Sequence, residues 1–172
     1  MHILIETVLI NYLLNEFSKP TYLQKMKKAA LFICFQVCLI TVHAQTAEDS
    51  VKAVINKLFI AMKSSDGKQL QECFADSAIL QTITRNGTIR NESVQEFAKQ
   101  INSLPKDSAD ERIMYDIVKV DGGGLATAWT PYQFFYAGKF SHCGVNSFQL
   151  VRQNGFWRIQ YLIDTRRRIN CQ

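Results

Sequence analysis

The chain has 172 residues, 20 Lys and Arg against 15 Asp and Glu for a formal net charge of +5, and a hydrophobic share of 47%. That is the balance of one ordinary globular domain, which excludes a disordered tail, a collagen-like repeat or a multi-span membrane protein. Nor does the positive charge indicate a nucleic-acid binder. Lys19, Lys25, Lys27 and Lys28, set against Glu6 and Glu16, lie in an N-terminal region expected to be removed; without them 16 basic and 13 acidic residues leave +3. Three of those basic residues form the run Arg166-Arg167-Arg168, and the aromatic–basic interleaving of single-strand binders is missing.

In chain order, Met26-Lys27-Lys28 followed by the apolar run Ala29 to Val42 has the form of a secretory signal peptide. Val42-His43-Ala44 supplies a cleavage site before Gln45. The apolar run is too short and too interrupted to span a membrane stably. The expected organisation is therefore an upstream extension over 1–25, from a start codon placed too early, a signal peptide over 26–44, and one domain over 45–172. The expected location is the periplasm or the exterior, with no membrane contact after processing. Export leaves Cys73, Cys143 and Cys171, an odd number, so at most one internal bridge forms.

Ala47 to Ser64 reads as a helix, with Val51, Val54, Ile55, Leu58, Phe59 and Met62 on one stripe and Thr46 as its cap. A second short helix is expected over Lys68 to Phe74, then a hairpin of Ala78 to Thr84 with Thr88-Ile89-Arg90 about Asn86-Gly87. A third helix follows from Val94 to Leu104 and is closed by Pro105. From Glu111 the period becomes two: Ile113, Tyr115 and Ile117 alternate with Met114, Asp116 and Val118. Asp121-Gly122-Gly123-Gly124 turns the chain into a strand from Leu125 to Tyr136, where Pro131 predicts an edge or bulge.

The last third is a hairpin about Asn154-Gly155, the strongest short turn signal in the chain. Counting outward from Gln153 opposite Phe156 places Leu150 opposite Ile159, Phe148 opposite Tyr161, Asn146 opposite Ile163 and His142 opposite Arg167. One face then carries Phe148, Leu150, Trp157, Ile159, Tyr161 and Ile163, with Asn146 and His142 at its end, as suits the wall of a ligand pocket. The other face carries Gln149, Leu162, Asp164 and Arg166. The same register sets Cys143 opposite Arg166, near enough to Cys171 for a bridge pinning the tail. No Cys/His spacing suits a metal, Gly122-Gly123-Gly124 lacks the Lys-Ser/Thr of a phosphate loop, and no cofactor motif stands out.

The order of helix, helix, short hairpin, helix and long strands resembles the nuclear transport factor 2-like superfamily, which also holds SnoaL-like cyclases, ketosteroid isomerase and scytalone dehydratase. The run Gly138-Lys139-Phe140-Ser141-His142-Cys143-Gly144-Val145-Asn146-Ser147-Phe148, with Trp157-Arg158-Ile159 and Asp164-Thr165-Arg166-Arg167, is similar to exported bacterial members labelled putative lumazine-binding. The resemblance implies an α+β domain: a cone of three N-terminal helices packed on a curved antiparallel sheet around an apolar pocket, with a homodimer through the outer sheet face. No cofactor is expected. The first expectation is a binding module for a small, partly aromatic molecule, held by Trp129, Tyr132 and Tyr161 and oriented by His142 and Asn146. Asp164 with Arg166 or Arg158 forms an ion pair at the strand end, or Arg166 and Arg167 form an anion site. The second is a cofactor-free lyase or isomerase using His142, the one imidazole left after processing, as its base. Asp116 would be the mid-strand acid of an isomerase-type site, and His142 would meet Asp164 only if the strand bulges. A structural or interaction domain with a filled pocket is the third.

Overall fold

The structure is a computed structural model that describes residues 46–171; the expected extension and signal peptide lie outside the described residues. Helix α1 runs Ala47–Ser64, as the apolar stripe requires. Thr46 accepts a hydrogen bond from the Asp49 backbone N–H at 3.1 Å, and Ser65 ends the helix in the left-handed region at φ 57°. Helix α2 spans Gly67–Gln71, capped by Asp66, and is shorter than expected, because Cys73 turns back to Leu70 and Phe74 already belongs to a strand. Helix α3 runs Val94–Asn102, capped by Ser93. Among the described residues no helix is long and apolar enough to cross a membrane.

The strands are β1 (Phe74–Ile83), β2 (Ile89–Glu92), β3 (Ala109–Ile113), β4 (Ile117–Val120), β5 (Leu125–Tyr136), β6 (Lys139–Gln153) and β7 (Phe156–Thr165). They form one sheet in the order β2-β1-β7-β6-β5-β3, with β4 also paired to β5. The curved antiparallel sheet and cone expected from the sequence are corrected here. The sheet is mixed, because β1 runs parallel to β7, and it is neither closed nor strongly curled: its end strands β2 and β3 do not meet. Counting from local turns finds antiparallel neighbours only; a parallel pair needs a long crossover, here the whole chain between β1 and β7.

Pro131 lies inside β5 yet disturbs no ladder. It sits opposite the break between β3, whose last pair is Ile113 with Tyr132, and β4, whose first pair is Ile117 with Trp129. A residue without an N–H fits that gap.

The β6–β7 hairpin turns at Asn154-Gly155, both at positive φ, and Gln153 pairs with Phe156 and Leu150 with Ile159. Beyond that the register slips by one. Gln149 pairs with Tyr161, Phe148 with Leu162 and Asn146 with Asp164, so Gln160 is an unpaired bulge residue. Its side chain reaches β1: the Gln160 amide donates to the Ser77 carbonyl oxygen at 2.9 Å, where β1 has its own register shift between Phe74 and Ile79. The bulge therefore matches an irregularity in a strand 83 positions away.

Downstream of Gln160, every β7 side chain changes face. Leu162, Asp164 and Arg166 turn towards the helices, while Tyr161 turns to the outer face, where its hydroxyl donates to Gln81 at 2.6 Å. Gly144 is needed at this seam, since a Cβ there would lie 1.8 Å from the Thr165 carbonyl oxygen. The inner sheet face packs Phe148, Leu150 and Ile159, all fully buried, against Val51, Ile55 and Leu58 of α1. Each such side chain contributes roughly 1.5–3 kcal/mol of transfer free energy. Cys143 is disulfide-bonded to Cys171, which folds the tail back along β6 through a bridge between Cys143 and Arg167.

Candidate functional site

Between the inner sheet face and the helices lies a cavity of about 390 Å³. Leu58, Phe59 and Met62 of α1, Phe97 and Ile101 of α3, and Leu80, Phe134 and Leu162 of the sheet form its apolar walls. Phe59 meets the buried Phe148 edge-on at 6.3 Å between ring centroids. One polar cluster on its lining joins Glu111 from β3, Tyr132 from β5, His142 and Asn146 from β6, Asp164 from β7 and Arg166 just beyond it; Gln81, Arg90, Glu92 and Gln100 also line the cavity.

Asp164 is the hub of that cluster. It accepts from Thr82 Oγ1 at 2.5 Å, from Tyr132 Oη at 3.2 Å and from Arg166 Nε at 2.8 Å, and it is buried. Tyr132 also donates to the Thr165 carbonyl at 2.9 Å. Burial, with the carboxylates of Glu111 and Asp164 beside it, holds the Tyr132 proton far above the usual phenol range. Burial disfavours the Arg166 charge, but the bond to Asp164 together with the Asp164, Tyr132 and Glu111 charges outweighs it and raises the guanidinium's pKa. With its oxygens engaged three times over, Asp164 orders its neighbours.

Glu111 is different. It shares one contact, accepting from Asn146 Nδ2 at 2.8 Å. Burial, with a smaller push from the Asp164 charge, moves its carboxyl up to about 7, against the opposing Asn146 hydrogen bond and Arg166 charge. Near neutral pH this group can donate or accept a proton inside an apolar cavity.

His142 stands between Tyr132 and Phe134, at 5.7 Å and 5.0 Å between ring centroids, with Nδ1 3.1 Å from Ser141 Oγ. Burial and then the Arg166 charge lower its pKa, with Asp164 pulling the other way, so the neutral imidazole predominates at pH 7. No hydrogen bond joins His142 to Asp164 among the described residues, although both line one cavity.

The structure thus brings together Tyr132, His142, Asn146, Asp164 and Arg166, and separates two residues grouped with them from the sequence. Trp129 lies on the outer face, 43% exposed, opposite Ser147 and Ile117. Tyr161 is turned outward by the bulge. Arg167 also leaves the site, with its Nε donating to the Asn170 carbonyl. Asp116 falls between β3 and β4 and is exposed. The acid missed in the sequence is Glu111. Its signal was present: it is in phase with Ala109 and Ile113 on a strand whose alternate residues face inward.

A family model described as "Putative lumazine-binding" matches residues 46–160. No curated protein matches the chain. Among solved structures, a nuclear transport factor 2-like protein of unknown function from Shewanella baltica is 14% identical, with a TM-score of 0.56 over 69% of this chain and 91% of that one. A domain of unknown function with a cystatin-like fold from Nostoc punctiforme is 19% identical, with a TM-score of 0.57 over 72% of this chain and 80% of that one. A protein of unknown function from Mycobacterium tuberculosis is 18% identical, with a TM-score of 0.53 over 70% and 72%. At these identities the likeness is one of fold.

Proposed function

The chain belongs to the family described as putative lumazine-binding, and from that membership we propose that its domain binds a small, planar, partly aromatic molecule. A fused bicyclic heterocycle of the lumazine kind is the first candidate. The observation that carries this reading is the cavity of about 390 Å³, in which apolar and aromatic side chains meet the hydrogen-bonded cluster around Asp164 and Glu111. Phe59, Phe97 and Phe134 offer ring faces and edges. Glu111 and Asn146 offer a donor and acceptor pair of the kind a cyclic imide or amide edge requires.

The disulfide between Cys143 and Cys171 suits an exported protein, since such bonds persist in oxidising compartments. Exposed Ile79, Ile117 and Trp129 give the outer sheet face apolar character that suits a homodimer, which sedimentation would detect.

The test is thermal unfolding of the purified protein with lumazine and a panel of small aromatic and polycyclic compounds. A ligand at a hundred times its dissociation constant adds about 2.7 kcal/mol, a rise on the order of 10 °C for a domain of this size. Unchanged melting across the panel would remove the binding reading.

A second reading, a cofactor-free lyase or isomerase, is favoured by one observation: Glu111 and His142 face the same cavity in states able to exchange a proton near neutrality. If His142 is the base, His142→Asn abolishes turnover while ligand still binds. Turnover surviving in that variant would exclude the assignment.

A further inference from the structure

A second, more open hollow adjoins the cavity and shares Thr82, Arg90, His142 and Arg166 with it. Its other lining residues are Thr84, Arg85, Ser141 and Arg168. Four guanidinium groups therefore border one opening, and they arrive from different parts of the chain. Arg85 comes from the β1–β2 turn, Arg90 from β2, Arg166 from just beyond the end of β7, and Arg168 from the tail held by the disulfide. Only Arg166 has an acidic partner, Asp164; among the described residues Arg85, Arg90 and Arg168 make no ion pair. Glu92, on the cavity wall nearby, accepts from Gln100. The charges of Arg166, Arg168 and Arg85 all act against protonation of His142, so their fields converge where the hollow meets the cavity. Three uncompensated cations around a concave opening, with the Thr84 and Ser141 hydroxyls beside them, form a focused positive potential of the kind that attracts anions.

We propose that the ligand of this domain is amphiphilic: its planar body occupies the cavity, and an anionic substituent, a carboxylate or phosphate, sits in the hollow formed by Arg85, Arg90 and Arg168. This rests on the cavity-binding reading above and narrows it to one ligand class. Arg166 is excluded from the test set, because removing it would leave the buried Asp164 short of a partner.

The experiment titrates the purified full chain with lumazine, with lumazine-6-carboxylate and with inorganic phosphate. At low ionic strength the carboxylate is expected to bind about tenfold or more tightly than lumazine, as a charge-assisted contact would provide. That advantage should vanish at about 1 M salt, where the screening length is about 3 Å. The R85S/R168S double variant should lose the advantage and keep the affinity for lumazine. The charge-reversed R85E/R168E should make the carboxylate the weaker ligand of the two.

Equal affinities for the two pteridines, or a preference unchanged in both variants, would overturn the anion site and leave the cavity reading standing. If neither pteridine binds but phosphate shifts the Arg side-chain NMR signals in the wild type alone, the anion site is supported and the cavity reading falls. No response to any of the three probes overturns both.

Discussion

Replacing Glu111 by Gln is expected to stabilise the folded domain by on the order of 3 kcal/mol at about pH 8, and to have almost no effect at about pH 4. The carboxyl is pushed from its usual 4.5 up to about 7 in the fold, chiefly by burial. A group that holds its proton more tightly when folded binds more protons in the native state between those two values. Its contribution is fully present below the unfolded value, is lost as pH rises towards 7, and changes no further above it. Gln keeps an oxygen able to accept from Asn146 Nδ2, the contact made at 2.8 Å in the native protein, and never ionises. His142 acts in the opposite direction: its lowered pKa costs stability as pH falls below the ordinary imidazole range. That contribution is common to both proteins and cancels in their difference. Denaturant unfolding of the two proteins side by side across this range is the measurement. Parallel curves, with no widening above neutrality, would show that Glu111 is not held in a desolvated state. A ligand that accepts a hydrogen bond from protonated Glu111 should bind the native protein more weakly as pH rises through 7.

Cys171→Ser is expected to cost about 3–4 kcal/mol, the chain-entropy value for a loop of this size. The bridge joins residues 28 positions apart and encloses the whole of β7. The unfolded chain loses that constraint, while the fold loses the tie that holds the tail against β6 through Cys143 and Arg167. Cys171 is the better position to change, because Cys143 is fully buried and a hydroxyl there would need its own partner. Cys73 offers no substitute thiol: it is buried, and burial pushes it up to about 11, so little reactive thiolate exists. Urea unfolding of wild type and variant, each with and without reductant, gives the comparison. Reductant should bring the wild type down to the variant and leave the variant unmoved; identical midpoints in all four samples would mean that the bridge contributes nothing.

Much of the framework could be read from the chain because its signals are local. The stripe Val51-Ile55-Leu58-Met62 with the Thr46 cap defines α1 to both of its ends, and Asn154-Gly155 fixes the final turn and the first four pairs of the hairpin. What could not be read depends on partners far away in sequence. The parallel union of β1 with β7 leaves no mark in either strand, and it makes the sheet open and mixed where a wrapped antiparallel one was expected. The bulge at Gln160 has no local signature either, since the contact that accompanies it is with the Ser77 carbonyl, 83 positions away.

The site was legible in the same uneven way. Tyr132, His142 and Asn146 lie upstream of the slip, and the structure places all three at the cavity. Tyr161 lies downstream and was assigned to the wrong face, while Asp164 and Arg166 are inside although strict alternation puts them outside. Glu111 is hard to place from the sequence because an acid in an alternating strand usually faces water, although it is in phase with Ala109 and Ile113.

The extra residue in β7 also bears on how relatives of this chain can be compared. Delete Gln160, and the segment Leu162-Ile163-Asp164-Thr165-Arg166 would keep its letters but exchange its interior and exterior members. Two relatives could then align perfectly through this segment, one gap aside, and hold opposite sets of side chains over their ligands. Inheritance of a role by position holds only among chains that share the gap pattern at 160, so the gap carries more information about chemistry than the identities that follow it.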